Sequence, residues 1–195
     1  TQGSSTEYGL AMQQIAREAD RLVAYAAALF ENPAAFDTGA YWTFDEHLRQ
    51  EAQGQYKNPA SDVSSVFVPN FMEVTDKLKQ DIELSAYLDL IFPDILEHNP
   101  NLEAIYFATP NEMVRYYPNI DLGAVIAADF QATQRVWYNG SLPEANPDKT
   151  TWWTPVYTDA TGLGAVTTAA SPVYNQAGEL VGVVGLDVSL NELKA

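Results

Sequence analysis

Between Arg135 and Asp159 the chain reads RVWYNGSLPEANPDKTTWWTPVYTD. Three of its four tryptophans (Trp137, Trp152, Trp153) and two tyrosines (Tyr138, Tyr157) fall in this stretch, with Arg135 two residues before Trp137. A guanidinium forks onto a carboxylate through two parallel hydrogen bonds, and flat side chains wall off the apolar part of a small molecule. Pro143, Pro147, Asn139, Gly140 and Asn146 give the stretch loop composition, so its aromatics do not share one regular element. The chemistry this points to is a small-molecule pocket; the competing assignment is a set of tryptophans plugging the core under a long loop.

Two carboxylates stand out as counterparts to the arginine. Asp187 interrupts Leu180–Val188, a run apolar on both faces, and by strand alternation shares a face with Val181, Val183 and Gly185. An unpaired charge there would cost several kcal/mol, so Asp187 is either paired in a site or satisfied by backbone amides at the strand end. Gly182 and Gly185 leave room beside it, as where something approaches a sheet closely. Asp159, after Tyr157, is a second acid or a turn residue before Gly162. An arginine facing two carboxylates and a tyrosine suits a zwitterion, whose carboxylate goes to the guanidinium and whose ammonium goes to the acids and phenol.

Catalytic constellations do not emerge. Ser171 has no histidine base near it and no glycine elbow surrounds any serine. No glycine loop is built to cradle phosphate, and nothing singles out a pair of carboxylates for glycoside hydrolysis. With no cysteine there is no thiolate, disulfide or cysteine-type zinc site, and His47 and His98 have no second histidine at ligand spacing. Neither a cofactor nor a metal is expected. The 26 acidic against 10 basic residues give a net charge of −16, which repels nucleic acid and anionic membrane surfaces. No apolar run approaches the ~20 residues that span a bilayer, and the start TQGSSTEYG is not a signal peptide. A piece cut out between membrane segments would read the same way.

The elements that must position these residues follow from periodicity. Residues 6–31 repeat apolar positions (Leu10, Ile15, Ala19, Leu22, Val23, Ala26, Phe30) at helical spacing, and Asn32-Pro33 stops them. Residues 34–73 carry an aromatic cluster (Tyr41, Trp42, Phe44), a short helix over Asp45–Gln53 and a strand-like run Ser65–Val68, and are expected to lie over the rest as an insertion. Residues 74–98 predict a second helix interrupted near Phe92 by Pro93. From Leu102 the period changes to strands: Ala104–Ala108, Met113–Tyr117, Thr154–Thr158, Ala165–Tyr174 and Leu180–Val188, the last two joined by a turn at Asn175–Gly178. Ser189–Lys194 opens a last helix, with Ser189 as its cap. The expectation is an α+β fold: a long N-terminal helix (1–33) packed on an antiparallel sheet of about five strands within a domain at 34–195.

On RVWY, WWTPVYTD and SPVYNQAGELVGVVGLDVSL the chain resembles the Cache domains, PAS-like extracytoplasmic sensors of chemoreceptors, histidine kinases and related proteins. The resemblance implies a non-enzymatic ligand-sensing domain between transmembrane helices, with a homodimer through the long helix as a further expectation. It also resembles the amino-acid-binding branch of the double-Cache family. By that likeness Arg135 and Trp137 hold a ligand carboxylate, Tyr138 and Asp187 its ammonium, and Tyr157 and Asp159 complete a pocket beneath the 139–151 loop. Trp152 joins them as an aromatic wall. Phe130 stands where that branch has a tyrosine, which leaves the ligand class open among amino acids, amines and carboxylates. The alternative is an extracellular carbohydrate-binding or adhesion module, which would present its aromatics as exposed, coplanar platforms.

Overall fold

The computed structural model of the protein describes residues 2–36 and 39–190. Helix α1 (Gln2–Glu31) buries Ile15, Ala19, Leu22, Ala26 and Leu29, a stripe at alternating spacings of four and three that faces the sheet. Leu10, counted on that stripe from the sequence, is 61% exposed, so burial begins one turn later. The Asn32 side chain donates to the Ala28 carbonyl at 3.1 Å and Pro33 follows, which closes the helix.

The second helical region is broken as Pro93 requires. Helix α3 (Asp76–Ser85) starts with the Thr75 hydroxyl accepting from the Leu78 amide at 3.1 Å. A 3₁₀ turn over Ala86–Leu90 follows, and α4 (Phe92–Glu97) restarts with Pro93 in its first turn, where a missing N–H costs nothing. Before them come a one-turn helix, α2 (Phe44–His47), and three short strands: β1 (Arg49–Gln50), β2 (Tyr56–Lys57) and β3 (Ser65–Val68).

The remaining strands are β4 (Leu102–Ala108), β5 (Val114–Tyr117), β6 (Trp152–Trp153), β7 (Tyr157–Thr158), β8 (Ala165–Tyr174) and β9 (Leu180–Ser189). They form one antiparallel sheet in the order β1-β2-β3-β5-β4-β9-β8-β6, with β7 also on β8. Nine strands replace the expected five or so. Residues 34–73 place β1, β2 and β3 in the sheet itself, beyond β5, and the strand read at Thr154–Thr158 divides into β6 and β7 around Pro155, which cannot donate to a ladder. The β8–β9 hairpin turns at Gly178, whose φ of 82° suits glycine. The helix expected over Ser189–Lys194 falls, beyond Leu190, outside the described residues.

One face of the sheet (Ile105, Phe107, Ala169, Val184, Leu186, Val188) packs on α1, α3 and α4. Arg115 of β5 is fully buried on that side, held by Ser85 Oγ at 2.9 Å, the Ile82 carbonyl at 3.1 Å and the Asp89 carboxylate at 3.4 Å. The other face carries Ala104, Tyr106, Val114, Tyr116, Ala170 and Val183. Over it lie helix α5 (Leu122–Val125), a 3₁₀ turn at Ala132–Gln134, helix α6 (Val136–Asn139), and β7 with the turn after it.

Candidate ligand-binding site

The site grows from two cross-strand tyrosines. Tyr106 of β4 pairs with Tyr116 of β5, so both rings stand on the face away from α1, stacked 5.6 Å apart with planes 1° from parallel. Gly185 is the partner of Tyr106 on β9, and a Cβ there would lie 2.2 Å from the Tyr106 ring. The space that Gly185 leaves beside Asp187 is therefore filled by a protein ring. Trp137 of α6 meets Tyr106 edge-on at 4.8 Å.

Between this floor and the segments above it lies a half-open cavity of about 40 Å³, or about 390 Å³ with the open space at its mouth. Val114, Leu122, Ile126 and Phe130 line one side, and Tyr106, Tyr116, Trp137 and Tyr157 form the aromatic walls. Its polar groups come from Arg135, Asp159 and Thr161.

Arg135 precedes α6 in extended conformation, and its carbonyl caps the helix by accepting from the amides of Tyr138 and Asn139 at 3.1 and 2.9 Å. The residue is half-buried; its guanidinium donates to the Thr158 carbonyl at 3.1 Å in a solvent-exposed hydrogen bond and lies 6.0 Å from the Phe130 ring and 5.8 Å from the Tyr157 ring. Among the described residues no carboxylate comes within ion-pair distance of it. Asp159 folds its own turn. Its Oδ2 accepts from the amides of Thr161 and Leu163 at 2.8 and 3.2 Å and from the Thr161 hydroxyl. Among the described residues its Oδ1 takes no hydrogen bond. The cavity thus holds one cation without a counterion and one carboxylate with a lone oxygen to offer.

Asp187 is fully buried and does not line the cavity. Its Oδ1 accepts from the Tyr106 hydroxyl and from Thr168 Oγ1, both at 2.7 Å, while among the described residues its Oδ2 has no hydrogen-bond partner. Burial pushes the carboxyl up to about 7; the Tyr106 and Thr168 hydrogen bonds oppose the rise and the Asp159 charge adds to it. Because Thr168 gives its proton to Asp187, the Tyr157 hydroxyl, 2.6 Å from Thr168 Oγ1, is the donor of that pair. Burial raises the Tyr106 and Tyr157 phenols, so both are neutral donors.

Of the seven residues singled out from the sequence, Arg135, Trp137, Tyr157 and Asp159 line the cavity, and Tyr138, Trp152 and Asp187 do not. Tyr138 is buried beside Trp137, their rings 5.9 Å apart, because successive residues of a helical turn point in different directions. Trp152 lies against Gly140, where a Cβ would come within 2.2 Å of its ring, and donates to Ser141 Oγ at 2.8 Å; that hydroxyl donates in turn to the Trp137 carbonyl at 2.7 Å. Trp152 thus shapes the turn after α6 and does not line this cavity. No residue of the 139–151 loop lines the cavity either; the covering role falls to residues 122–135 and 157–161. The loop instead reaches the long helix, where Thr151 Oγ1 donates to Asp20 Oδ1 at 2.5 Å. The sequence reading missed Tyr106, Tyr116, Val114, Leu122, Ile126, Ala160 and Thr161; the place of Tyr106 opposite Gly185 is visible only in the strand register.

A long helix on one face of an antiparallel sheet and a half-open cavity on the other define a PAS-like ligand-binding domain. Residues 71–195 match the family described as methyl-accepting chemotaxis protein-like, first PDC sensor domain, and the chain belongs to this family. Among solved structures the chain is similar to the ligand-binding domain of the Pseudomonas aeruginosa PAO1 amino-acid chemoreceptor PctB in complex with L-Gln, at 28% identity over 48% of this chain and 35% of that one, with a TM-score of 0.39. It is also similar to the ligand-binding domain of the Pseudomonas fluorescens chemoreceptor CtaA in complex with L-serine (26% identity, 56% and 43% coverage, TM-score 0.46). A third is that of the Pseudomonas aeruginosa PAO1 chemoreceptor PctC in complex with GABA (20% identity, 63% and 50% coverage, TM-score 0.47). The chain spans between a third and a half of the length of these structures. No curated protein matches it.

Proposed function

We propose that the cavity is the signal-binding site of this sensor domain and that its ligand is an amino acid or a closely related small amine or carboxylate. The observation that carries the reading is the pairing of Arg135, which has no counterion, with Asp159, which has one unoccupied oxygen, in one otherwise apolar and aromatic cavity. A zwitterion satisfies both groups at once: its carboxylate accepts from the guanidinium and its ammonium donates to Asp159 Oδ1. A carboxylate alone would satisfy Arg135, and an amine alone Asp159.

The domain acts by binding and not by catalysis, on the extracytoplasmic side of a membrane receptor of the chemoreceptor class. Flanking transmembrane helices carry the signal from α1, and a homodimer through α1 is part of this reading. The carbohydrate or adhesion alternative loses support from burial. Trp42 and Trp137 are buried and Trp152 and Trp153 are half-buried, so no tryptophan stands out as a sugar platform. A thermal-shift screen of amino acids, amines, organic acids and sugars tests the proposal. Stabilisation by one of the first three classes is expected, lost in Arg135→Ala where the ligand has a carboxylate and in Asp159→Asn where it is an amine alone; stabilisation by sugars alone would overturn it.

A further inference from the structure

Resting on that reading of the cavity, the geometry points to a narrower ligand class: amino acids with a short aliphatic side chain, selected by an apolar wall that includes Leu122 and Ile126 at the two ends of α5, a helix that the β2–β3 edge of the sheet holds in place.

Once Arg135 and Asp159 take the two charged ends of an amino acid, the surface left for its side chain is Val114, Leu122, Ile126 and Phe130 together with the aromatic walls, Ala160 and the Thr161 hydroxyl. None of these carries a charge. A carboxylate or ammonium on the ligand side chain would lose water there and find no counterion in return.

The wall is fixed as well as apolar. Ser65 Oγ of β3 accepts from the amides of Ile120 and Leu122 at 3.1 and 3.2 Å and donates to Asn119 Oδ1 at 2.6 Å. Lys57 of β2 grips the Asp121 carboxylate at 2.9 and 3.0 Å. Gln55 donates to the Gly123 carbonyl at 3.3 Å, and Gly123 sits so close to Lys57 that a Cβ would come within 2.7 Å of the Lys57 Cβ. A four-residue helix has little stability of its own, so its place over the cavity is set by these contacts. Residues 55–65 thereby fix the start of α5, and with it Leu122, over the cavity, and the small volume of the cavity limits side-chain length as well as polarity.

The test is calorimetric titration of the whole domain with L-alanine, L-valine and L-leucine against L-aspartate, L-glutamate, L-lysine and L-arginine, on wild type, Ile126→Asp and Gly123→Ala. Ile126 is only half-buried, so Ile126→Asp should fold, which its melting curve checks. Wild type should favour the aliphatic set by at least roughly 100-fold. Ile126→Asp should narrow the gap to lysine and arginine by roughly tenfold or more, through a new charge pair. Gly123→Ala, by lifting α5 off Lys57, should improve binding of long side chains relative to valine. Acidic or basic amino acids bound by wild type as tightly as valine would overturn the inference while leaving the amino-acid reading intact. So would an Ile126→Asp protein that folds and keeps every affinity unchanged. Binding of no amino acid at all would overturn both.

Discussion

The Tyr106 hydroxyl donates to Asp187 Oδ1 at 2.7 Å, so the buried carboxyl meets the cavity only through a phenol. Thr168 donates to the same oxygen from β8, and the second oxygen of Asp187 has neither a hydrogen-bond partner nor an ion-pair partner among the described residues. A carboxyl in that setting is more stable as the neutral acid, which resolves the choice left open by the sequence in a third way: Asp187 is neither a strand-end acid on backbone amides nor an open ligand contact, but the anchor of a hydroxyl network behind the cavity floor.

Stability should therefore fall with rising pH on account of Asp187. Its carboxyl is raised from 3.8 to about 7 in the folded domain, whereas the unfolded chain ionises near the ordinary value. Below about pH 4 both states are protonated and the domain keeps this stability in full; between there and about pH 7 only the unfolded state gains by ionising. The loss approaches roughly 4 kcal/mol and levels off above the folded value. Denaturant titration between pH 4 and pH 8 should show this slope in wild type and lose it in Asp187→Asn. An unchanged slope in the variant would place the titration elsewhere.

Trp152 should prove a scaffold residue. Trp152→Phe removes the donor to Ser141 and part of the surface packed on Gly140, and should cost roughly 1–3 kcal/mol of stability with ligand affinity changed less than about threefold. Gly140→Ala should destabilise by a comparable amount, because the added methyl overlaps the indole. Thermal melts beside calorimetry separate the two effects. A large loss of affinity at unchanged melting temperature would return Trp152 to the site.

Much of this was legible before the structure, and the residues show where legibility ends. The α1 stripe and the β8 and β9 strands follow from periodicity, which depends only on neighbours in the chain. Arg135, Trp137, Tyr157 and Asp159 were readable because their types are uncommon and clustered. Tyr106 and Tyr116 were not, since each is one more apolar-looking residue in a strand. Only the β4–β5 register, with its contacts across ten residues, puts the two rings side by side. Leu122 and Ile126 were hidden for a different reason. Their place depends on Ser65 and Lys57, more than fifty residues earlier, in a segment whose strands are only two to four residues long. Tyr138 and Trp152 show the opposite error, in which a residue inside a telling motif is counted with it although its side chain turns away.

The helix layer has its own test in Arg115 and Asp89. Asp89→Ala leaves a fully buried guanidinium without its carboxylate and should cost roughly 3–5 kcal/mol, whereas Arg115→Met with Asp89→Leu should recover much of that loss. Equilibrium unfolding of the single and paired variants measures it. A single variant within about 0.5 kcal/mol of wild type would mean that the pair does not join β5 to the α3 side of the domain.

The central claim, that Arg135 and Asp159 together hold the two ends of an amino acid, is tested most directly by calorimetric titration with L-valine and with 3-methylbutanoate, which is valine without its amine. Arg135→Ala should weaken both ligands by roughly 2–5 kcal/mol, since both present a carboxylate, and should leave the melting temperature without ligand nearly unchanged. Asp159→Asn, which keeps an acceptor for the Thr161 amide, should weaken valine while sparing 3-methylbutanoate. Valine binding that survives Arg135→Ala at full affinity in a folded domain would contradict the account.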